Sequence, residues 1–404
     1  MESKIISAGK RGDKIRSDCY IELEKIDSGI NIEIKSKVNA MYGNTLREQV
    51  KRLCEFFELD KIRVYVEDFG ALEATIAARF ELAVKTMFPD ITKDFLPDFH
   101  PENHYGTTKD KLRRSRLYLP GNEPKFYPNA GLHKPDGIIL DLEDSVSPSE
   151  KEAARYLVRN TLRATNFYKA ERMVRINQLP MGLEDLDFII PHNVNVILIP
   201  KVESADQIKQ VEEKILKLKN EHNLSNDVFF MPIIESALGV IKAYEIATAS
   251  KYNCSLAIGL EDYTADIGTQ RTDEGKESIF ARSMLVNAAK AARLQPIDTV
   301  YSDVANMDGL RESVLEAKNL GFEGKGCIHP RQIKVIHEAF APDSSEVEKA
   351  KKIVLAFDEA TKKGIGVVSL GSKMVDAPVV KRAQNTITLA ILNNLLPENW
   401  KELN

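Results

Sequence analysis

From Arg116 onward the chain repeats one pattern eight times, a short apolar run followed by a longer stretch of mostly helical periodicity. The runs are RLYL (116–119), GIILDL (137–142), RMVRI (172–176), NVILIP (195–200), VFFMPII (228–234), CSLAIG (254–259), DTVYS (298–302) and KGCIH (325–329). Strands that alternate with helices in this way build a parallel sheet, and eight such units close into a (β/α)8 TIM barrel. A doubly wound open sheet would not need eight similar units, and no G-x-G-x-x-G follows a strand. Helical stretches at 343–363 and 379–395 exceed the count, so the α/β barrel is expected over 115–340 with a C-terminal helical extension at 341–404.

Residues 1–88 read as a small α+β domain of their own. YIELEKI and INIEIK flank a turn at Asp27, Ser28 and Gly29, and Ile30, Ile32 and Ile34 alternate with polar residues. A helix follows in which Leu46, Val50, Leu53 and Phe57 share a face, with Asn44 as its expected N-cap. IRVYVED (62–68) returns to strand period, and 71–88 is again amphipathic helix. Pro89, Pro97 and Pro101 then break the pattern, so 89–114 is expected to be a linker or an extended surface strap.

Lysine and arginine number 56 against 60 aspartates and glutamates, a formal charge of -4 that gives no nucleic-acid footprint. No apolar stretch approaches the roughly 20 residues that span a bilayer, and MESKIISAGKRGDK lacks the apolar run of a signal peptide. Cys19, Cys54, Cys254 and Cys327 lie far apart without zinc-knuckle spacing, which predicts a reduced, cytoplasmic protein.

Barrel active sites lie at the C-terminal ends of the strands, which directs attention to the charges there. Asp141, Glu143 and Asp144 crowd one strand end and repel unless a cation, a base or a helix N-terminus absorbs their charge; alternatively they cap the next helix or pair with Lys or Arg. Arg175 ends the following strand and offers a bidentate fork to a carboxylate. Lys201 and Glu203 follow the next, as an ion pair or as catalytic groups. Glu235 and Asp262 follow successive strands, with Glu261 the alternative by spacing. Two carboxylates without nearby histidines suit Mg2+, which keeps waters and takes its remaining ligands from substrate. The seven histidines, His329 among them, form no zinc motif, and neither a G-x-S-x-G elbow nor a Walker loop occurs.

RSRLYLPGNEPKF, DGIILDLEDSVSPSEKEAAR, VRIN, LIPKVES, PIIESALG, ARSMLVNAAKAA, GFEGKGCIHPRQI and GSKMVDAP together resemble the citrate lyase beta subunit and its malyl-CoA lyase relatives in the HpcH/HpaI aldolase superfamily, over roughly 112–395. The resemblance implies a Mg2+-dependent lyase that splits, or forms, a 3-hydroxyacyl thioester of the citryl, malyl or citramalyl type. It implies Glu235 and Asp262 as metal ligands and Arg116, Arg175 and Glu235 as substrate contacts. Asp376 is implied as a catalytic group contributed across a homotrimer interface, although Gly371-Ser372 stands where an Asp-Gly is common.

The front domain, through AG (8–9), SD (17–18), YGNTLREQV and VEDFGALEATIAARFELA, resembles the acyl carrier (gamma) subunit of citrate lyase, which bears a covalent phosphoribosyl-dephospho-CoA group on a serine. This implies a CoA or acyl-carrier thioester substrate and a lyase-complex partner. Here the carrier's run is replaced by AGKRGDKIRSD, and alignment on Asp18 puts Arg16 at the modified position and Ser17, the candidate attachment site, one residue later. Rival readings are an aldolase on a free hydroxy oxo acid, a phosphoenolpyruvate-type enzyme, and a non-catalytic assembly or regulatory homologue.

Overall fold

The computed structural model describes residues 5–403 apart from 273, 363–367, 371 and 372. The front domain runs β1 (Ile5–Gly9), β2 (Cys19–Lys25), β3 (Ile30–Ser36), α1 (Asn39–Phe56), β4 (Ile62–Asp68) and α2 (Glu73–Met87). Its sheet order is β1-β2-β4-β3, with β3 parallel to β4 and the other pairs antiparallel. The two strands flanking the turn at Gly29 are therefore not partners, because β4 returns through the α1 crossover and inserts between them. Ile21, Leu23, Val64 and Val66 pack against Val50, Leu53 and Phe80 to form its core. Helix α1 starts at Asn39, so Asn44 is an interior residue and not the cap; the N-cap position is Val38, which makes no side-chain cap.

The barrel comprises β5 (Ser115–Pro120), β6 (Gly137–Asp141), α3 (Lys151–Ala164), β7 (Glu171–Arg175), α4 (Met181–Ile189), β8 (Val196–Ile199), α5 (Ala205–Glu221) and β9 (Phe229–Ile234). It continues through α6 (Ala237–Ile241), α7 (Ala243–Ala247), β10 (Ser255–Ile258), α8 (Leu260–Asp266), α9 (Ile279–Ala291), β11 (Gln295–Asp298), α10 (Met307–Leu320), β12 (Gly324–Cys327) and α11 (Arg331–Phe340). Strands β5 to β12 close in chain order, all neighbours parallel. Ile139, Met173, Leu198, Met231, Ala257 and Ile297 fill the interior, while Leu140, Val174, Ile197 and Leu256 belong to the layer beneath the helices. Apolar residues on both faces explain the continuous apolar runs. The seventh strand begins three residues ahead of the expected DTVYS, because Ile297 supplies the interior residue and Gln295 pairs with Ser255. Beyond the barrel lie α12 (Ser344–Lys362), the short strands β13 (Val368–Leu370) and β14 (Lys373–Val375), and α13 (Ala377–Leu392). Gly371 and Ser372 lie outside the described residues.

The segment 89–114 is a strap with structural anchors. Arg113 is fully buried, and its Nε and Nη2 donate to Glu171 at 2.8 and 2.9 Å, while Nη1 donates to Gln295 at 2.9 Å. Glu171 and Gln295 open β7 and β11, so this arginine seals the N-terminal end of the barrel opposite the mouth. Arg116, expected to touch substrate, lies inside the barrel instead. It is 1% exposed, with Nη1 against Met231 Sδ at 2.9 Å and Nη2 at 3.5 Å from the Asp298 carbonyl oxygen. It occupies the second position of β5, short of the strand's mouth end, within the barrel's interior and away from the acids gathered at the mouth.

Helix α2 of the front domain lies along α3 of the barrel. Arg159 donates to both carboxylate oxygens of Glu81, at 3.1 and 2.6 Å, with both side chains 2% exposed or less. Ala78, Tyr156 and Leu157 form an apolar cluster around that pair. Burial leaves the Glu81 carboxyl raised despite its basic partners. Removing one member of such a pair strands the other charge, so Glu81→Ala should cost about 3 kcal/mol, with Glu81→Leu/Arg159→Leu restoring much of it. Urea unfolding of the single and double variants measures both.

Candidate active site

The β6–β7 register sets Asp141 beside Arg175 at the mouth ends of the two strands. Arg175 Nε and Nη2 donate to the Asp141 carboxylate oxygens at 2.6 and 2.7 Å, and Nη1 lies 2.8 Å from Glu143 Oε2 and 3.4 Å from Asp144 Oδ2. The expected fork is thus closed on the chain's own Asp141, leaving Nη1 as the part of the guanidinium shared with the other acids. The ring of Tyr118 lies 5.4 Å beneath it. Burial opposes both charges, yet the pairing holds Asp141 below its usual range and Arg175 above its own.

Lys201 is the residue whose importance the sequence understated. It takes a left-handed backbone, φ 51°, which is uncommon outside glycine and concentrates at functional sites. Its Nζ stands 3.0 Å from Glu143 Oε1, 3.2 Å from Asp144 Oδ1 and 3.5 Å from Asp262 Oδ1. Its backbone N–H donates to Glu235 Oε2 at 2.9 Å. The expected pairing with Glu203 does not form; Glu203 instead accepts from Ser236 Oγ at 2.6 Å. Burial raises Glu143, whereas Asp144, against its own burial, is held low by a hydrogen bond with Glu143 and by the cations. The only signal for Lys201 in the sequence was a lysine directly after a strand-ending proline.

Glu235 is 6% exposed at the end of β9. Burial, with the like charges of Glu143 and Asp262 adding to it and Arg175 opposing, raises its carboxyl to about 7. A Cβ on Gly259 would sit 2.3 Å from Glu235 Oε1, so this carboxylate folds over the end of β10 only because residue 259 is glycine. Asp262 is in the first turn of α8 and 41% exposed, facing Lys201. Neighbouring Glu261 turns away to Arg271, at 2.5 Å, which separates the two acids that spacing left equivalent.

Among the described residues no group of three or more His, Cys, Asp or Glu is arranged as a complete metal cage. A buried carboxylate lacking a side-chain cation of its own, beside an exposed one, fits a hard divalent ion that draws further oxygen ligands from water and substrate. Asp376 caps α13, accepting from the Val379 N–H at 3.1 Å, and is not among the mouth's hydrogen bonds within the described residues. His329 Nδ1 accepts from the Arg331 N–H at 3.1 Å. His329 and Arg331 line a cavity of about 560 Å3 that opens beside the mouth, together with Tyr118, Lys125, Phe126 and His133. Ser17 has φ 54° and donates its N–H to the Phe69 carbonyl at 3.0 Å.

Acids, an arginine and a lysine gathered at the mouth of a closed parallel barrel define the active site of a (β/α)8-barrel enzyme. The chain belongs to the HpcH/HpaI aldolase/citrate lyase family, whose family model matches residues 114–330. A model described as C-C bond lyase of the TIM-barrel fold matches 275–392, and the malonate decarboxylase delta subunit (MdcD) model matches 12–87. The chain is 41% identical to citrate lyase subunit beta of Haemophilus influenzae over 277 residues, covering 68% of this chain and 95% of that protein. It is 32% identical to the human mitochondrial citramalyl-CoA lyase over 290 residues, 69% of this chain and 85% of that protein. It also resembles CitE of Mycobacterium tuberculosis crystallised with magnesium, acetoacetate and coenzyme A, at 28% identity and a TM-score of 0.58 over 70% of this chain and 99% of that one.

Gly259→Ala tests the carboxylate cradle. The variant should fold, as circular dichroism would register, yet bind Mg2+ about tenfold or more weakly in calorimetry because Glu235 can no longer occupy its place.

Proposed function

We propose that the chain is a Mg2+-dependent carbon–carbon lyase acting on a 3-hydroxyacyl thioester of the citryl, malyl or citramalyl type, which it splits to an acetyl-type thioester and an oxo acid. The observation that carries this reading is Glu235, buried over Gly259 beside Asp262 at the barrel mouth. These two carboxylates would hold the ion, which when bound supplies Lewis-acid polarisation of the substrate's oxygen atoms. Arg175, kept charged by Asp141, balances negative charge developing on oxygen; Lys201 neutralises the crowded acids and orients Glu235 through its N–H. The cavity beside the mouth, with Lys125, His133 and Arg331 on its walls, suits an anionic acyl-thioester arm. Cleavage leaves a carbanion equivalent on the acetyl thioester that needs a proton, and Asp376 would give it, or remove it in condensation. No helix among the described residues is long and apolar enough to cross a membrane. Cytoplasmic residence accords with four buried, free cysteines.

A second reading is favoured by the carrier-like match over 12–87: a covalent phosphoribosyl-dephospho-CoA on Ser17, attached by a partner transferase, would deliver the acyl group. Intact mass after co-expression with such a transferase tests it.

The test of the lyase reading is turnover of citryl-, malyl-, methylmalyl- and citramalyl-CoA with Mg2+ and after chelation. Glu235→Gln and Asp262→Asn should each lower kcat/KM on the order of 100-fold. Undiminished Mg2+ affinity in both would refute the ligand assignment. Because Glu235 titrates near 7, the metal must displace a proton there, so Mg2+ affinity should weaken as pH falls through that value.

Asp376 is proposed to act on a neighbouring subunit of a homotrimer, the closed ring through which each C-terminal arm serves the next barrel. Asp376→Ala and Arg175→Ala should each be inactive, and mixing them should restore partial activity in hetero-trimers. Verified subunit exchange without recovery of activity would place Asp376 outside the neighbour's site.

A further inference from the structure

We propose that a basic cavity at the end of the barrel opposite the mouth binds a small organic polyanion, a phosphate ester or a di- or tricarboxylate, through Lys111, Lys134 and Lys169. The proposal is independent of the lyase reading, because this cavity shares no lining residue with the one beside the mouth.

The cavity, of about 470 Å3, lies where the strap meets the segments that lead into β6 and β7. Lys111 comes from the strap, Lys134 and Asp136 from the residues before β6, and Lys169 from the residues before β7, so all four stand at the entry ends of strands. Lys111 Nζ donates to the Lys169 carbonyl at 3.2 Å, which brings two of the lysines to one wall. The Ala130–His133 turn closes against the 166–170 segment at Gly131, where a Cβ would stand 2.7 Å from the Tyr168 ring and 2.8 Å from the Phe167 carbonyl oxygen. The Tyr105 hydroxyl donates to the Ala170 carbonyl at 2.6 Å and ties the strap to the same segment.

Positive charge is what these walls leave unsatisfied. Of the two acids on the lining, Asp136 is already taken, since Arg114 Nε and Nη2 donate to it at 2.9 and 2.8 Å. Glu102 then stands alone against three lysines. Among the described residues none of the three has a carboxylate partner, and Lys169 Nζ lies over the Tyr105 ring at 5.0 Å instead. Burial lowers the Lys111 pKa against the pull of Glu171, and the Arg113 cation adds to burial, so an anion placed there would stabilise a charge that its surroundings disfavour. The backbone points the same way. Lys134, Tyr168 and Lys169 are left-handed, at φ 54°, 49° and 70°, a conformation that is uncommon outside glycine and concentrates at ligand clamps; here all three line one cavity. Ammonium groups act as point charges without a fixed fork, so phosphate and carboxylate are equally acceptable to them. Leu132 and Tyr168, 53% and 47% exposed, give the cavity an apolar side, which favours an anion carried on a small organic body over bare phosphate.

Calorimetry of the full chain in metal-free buffer with phenyl phosphate, tricarballylate and inorganic phosphate tests this. Wild type should bind at least one of the two organic anions more tightly than inorganic phosphate, with an affinity that falls as salt rises. The organic anion that binds more tightly identifies the source as a phosphate ester or a polycarboxylate. Lys134→Gln/Lys169→Gln should weaken that binding about tenfold, and Lys134→Arg/Lys169→Arg, which keeps both charges, should restore it. Lys125→Gln/Arg331→Gln, which removes cations from the cavity beside the mouth, should leave it unchanged. Circular dichroism of each variant confirms that it folds. Unchanged affinity in the glutamine variant, or an equal loss in the mouth variant, overturns the proposal. So does a wild type that binds none of the three anions, or one that binds inorganic phosphate as tightly as both organic anions.

Discussion

Five carboxylates meet at one end of the barrel, Asp141, Glu143, Asp144, Glu235 and Asp262, and two side-chain cations, Arg175 and Lys201, keep them together. This imbalance organises the site. Arg175 is locked to Asp141 across adjacent strands and is thereby a fixed positive charge. Lys201 spreads its ammonium over three acids and is bound less closely to each. What remains uncompensated falls on Glu235, whose carboxyl is raised to about 7 because it is buried among like charges. A divalent cation bound there, as proposed, would relieve that repulsion, with the acids' arrangement rather than a rigid cage supplying the attraction.

The same logic of buried charge joins the two domains. Arg159 and Glu81 are both removed from water, where each is tolerable only because the other is present. Such a pair contributes little net stability, but it permits one alignment of α2 on α3 and disfavours others. With the Lys10 contacts to Asn122 and Glu123, it holds the front domain against the barrel. The front domain is consequently packed on the barrel through fixed contacts.

The eight barrel strands were legible because each is a local apolar run, and seven lie within a residue or two of the expected positions. The eighth case, β11, was misplaced because Pro296 and Gln295 do not look like strand residues, while their pairing with β10 makes them so. Asn44 has the chemistry of a cap, but α1 extends five residues ahead of it. Arg116 was nominated by its neighbourhood in a motif, and the strand's geometry points it into the barrel's interior.

Sequence by itself determined the barrel, the small front domain and the placement of Arg175, Glu235 and Asp262 at strand ends, since hydrophobic period and strand termination are properties of short segments. Tertiary structure alone decided which charges meet. Cross-strand register closes Arg175 on Asp141, a left-handed turn brings Lys201 among three acids, and the absent side chain of Gly259 gives Glu235 its seat. Coulombic and steric terms depend on distances of a few ångströms between residues far apart in the chain, and no local pattern encodes those distances.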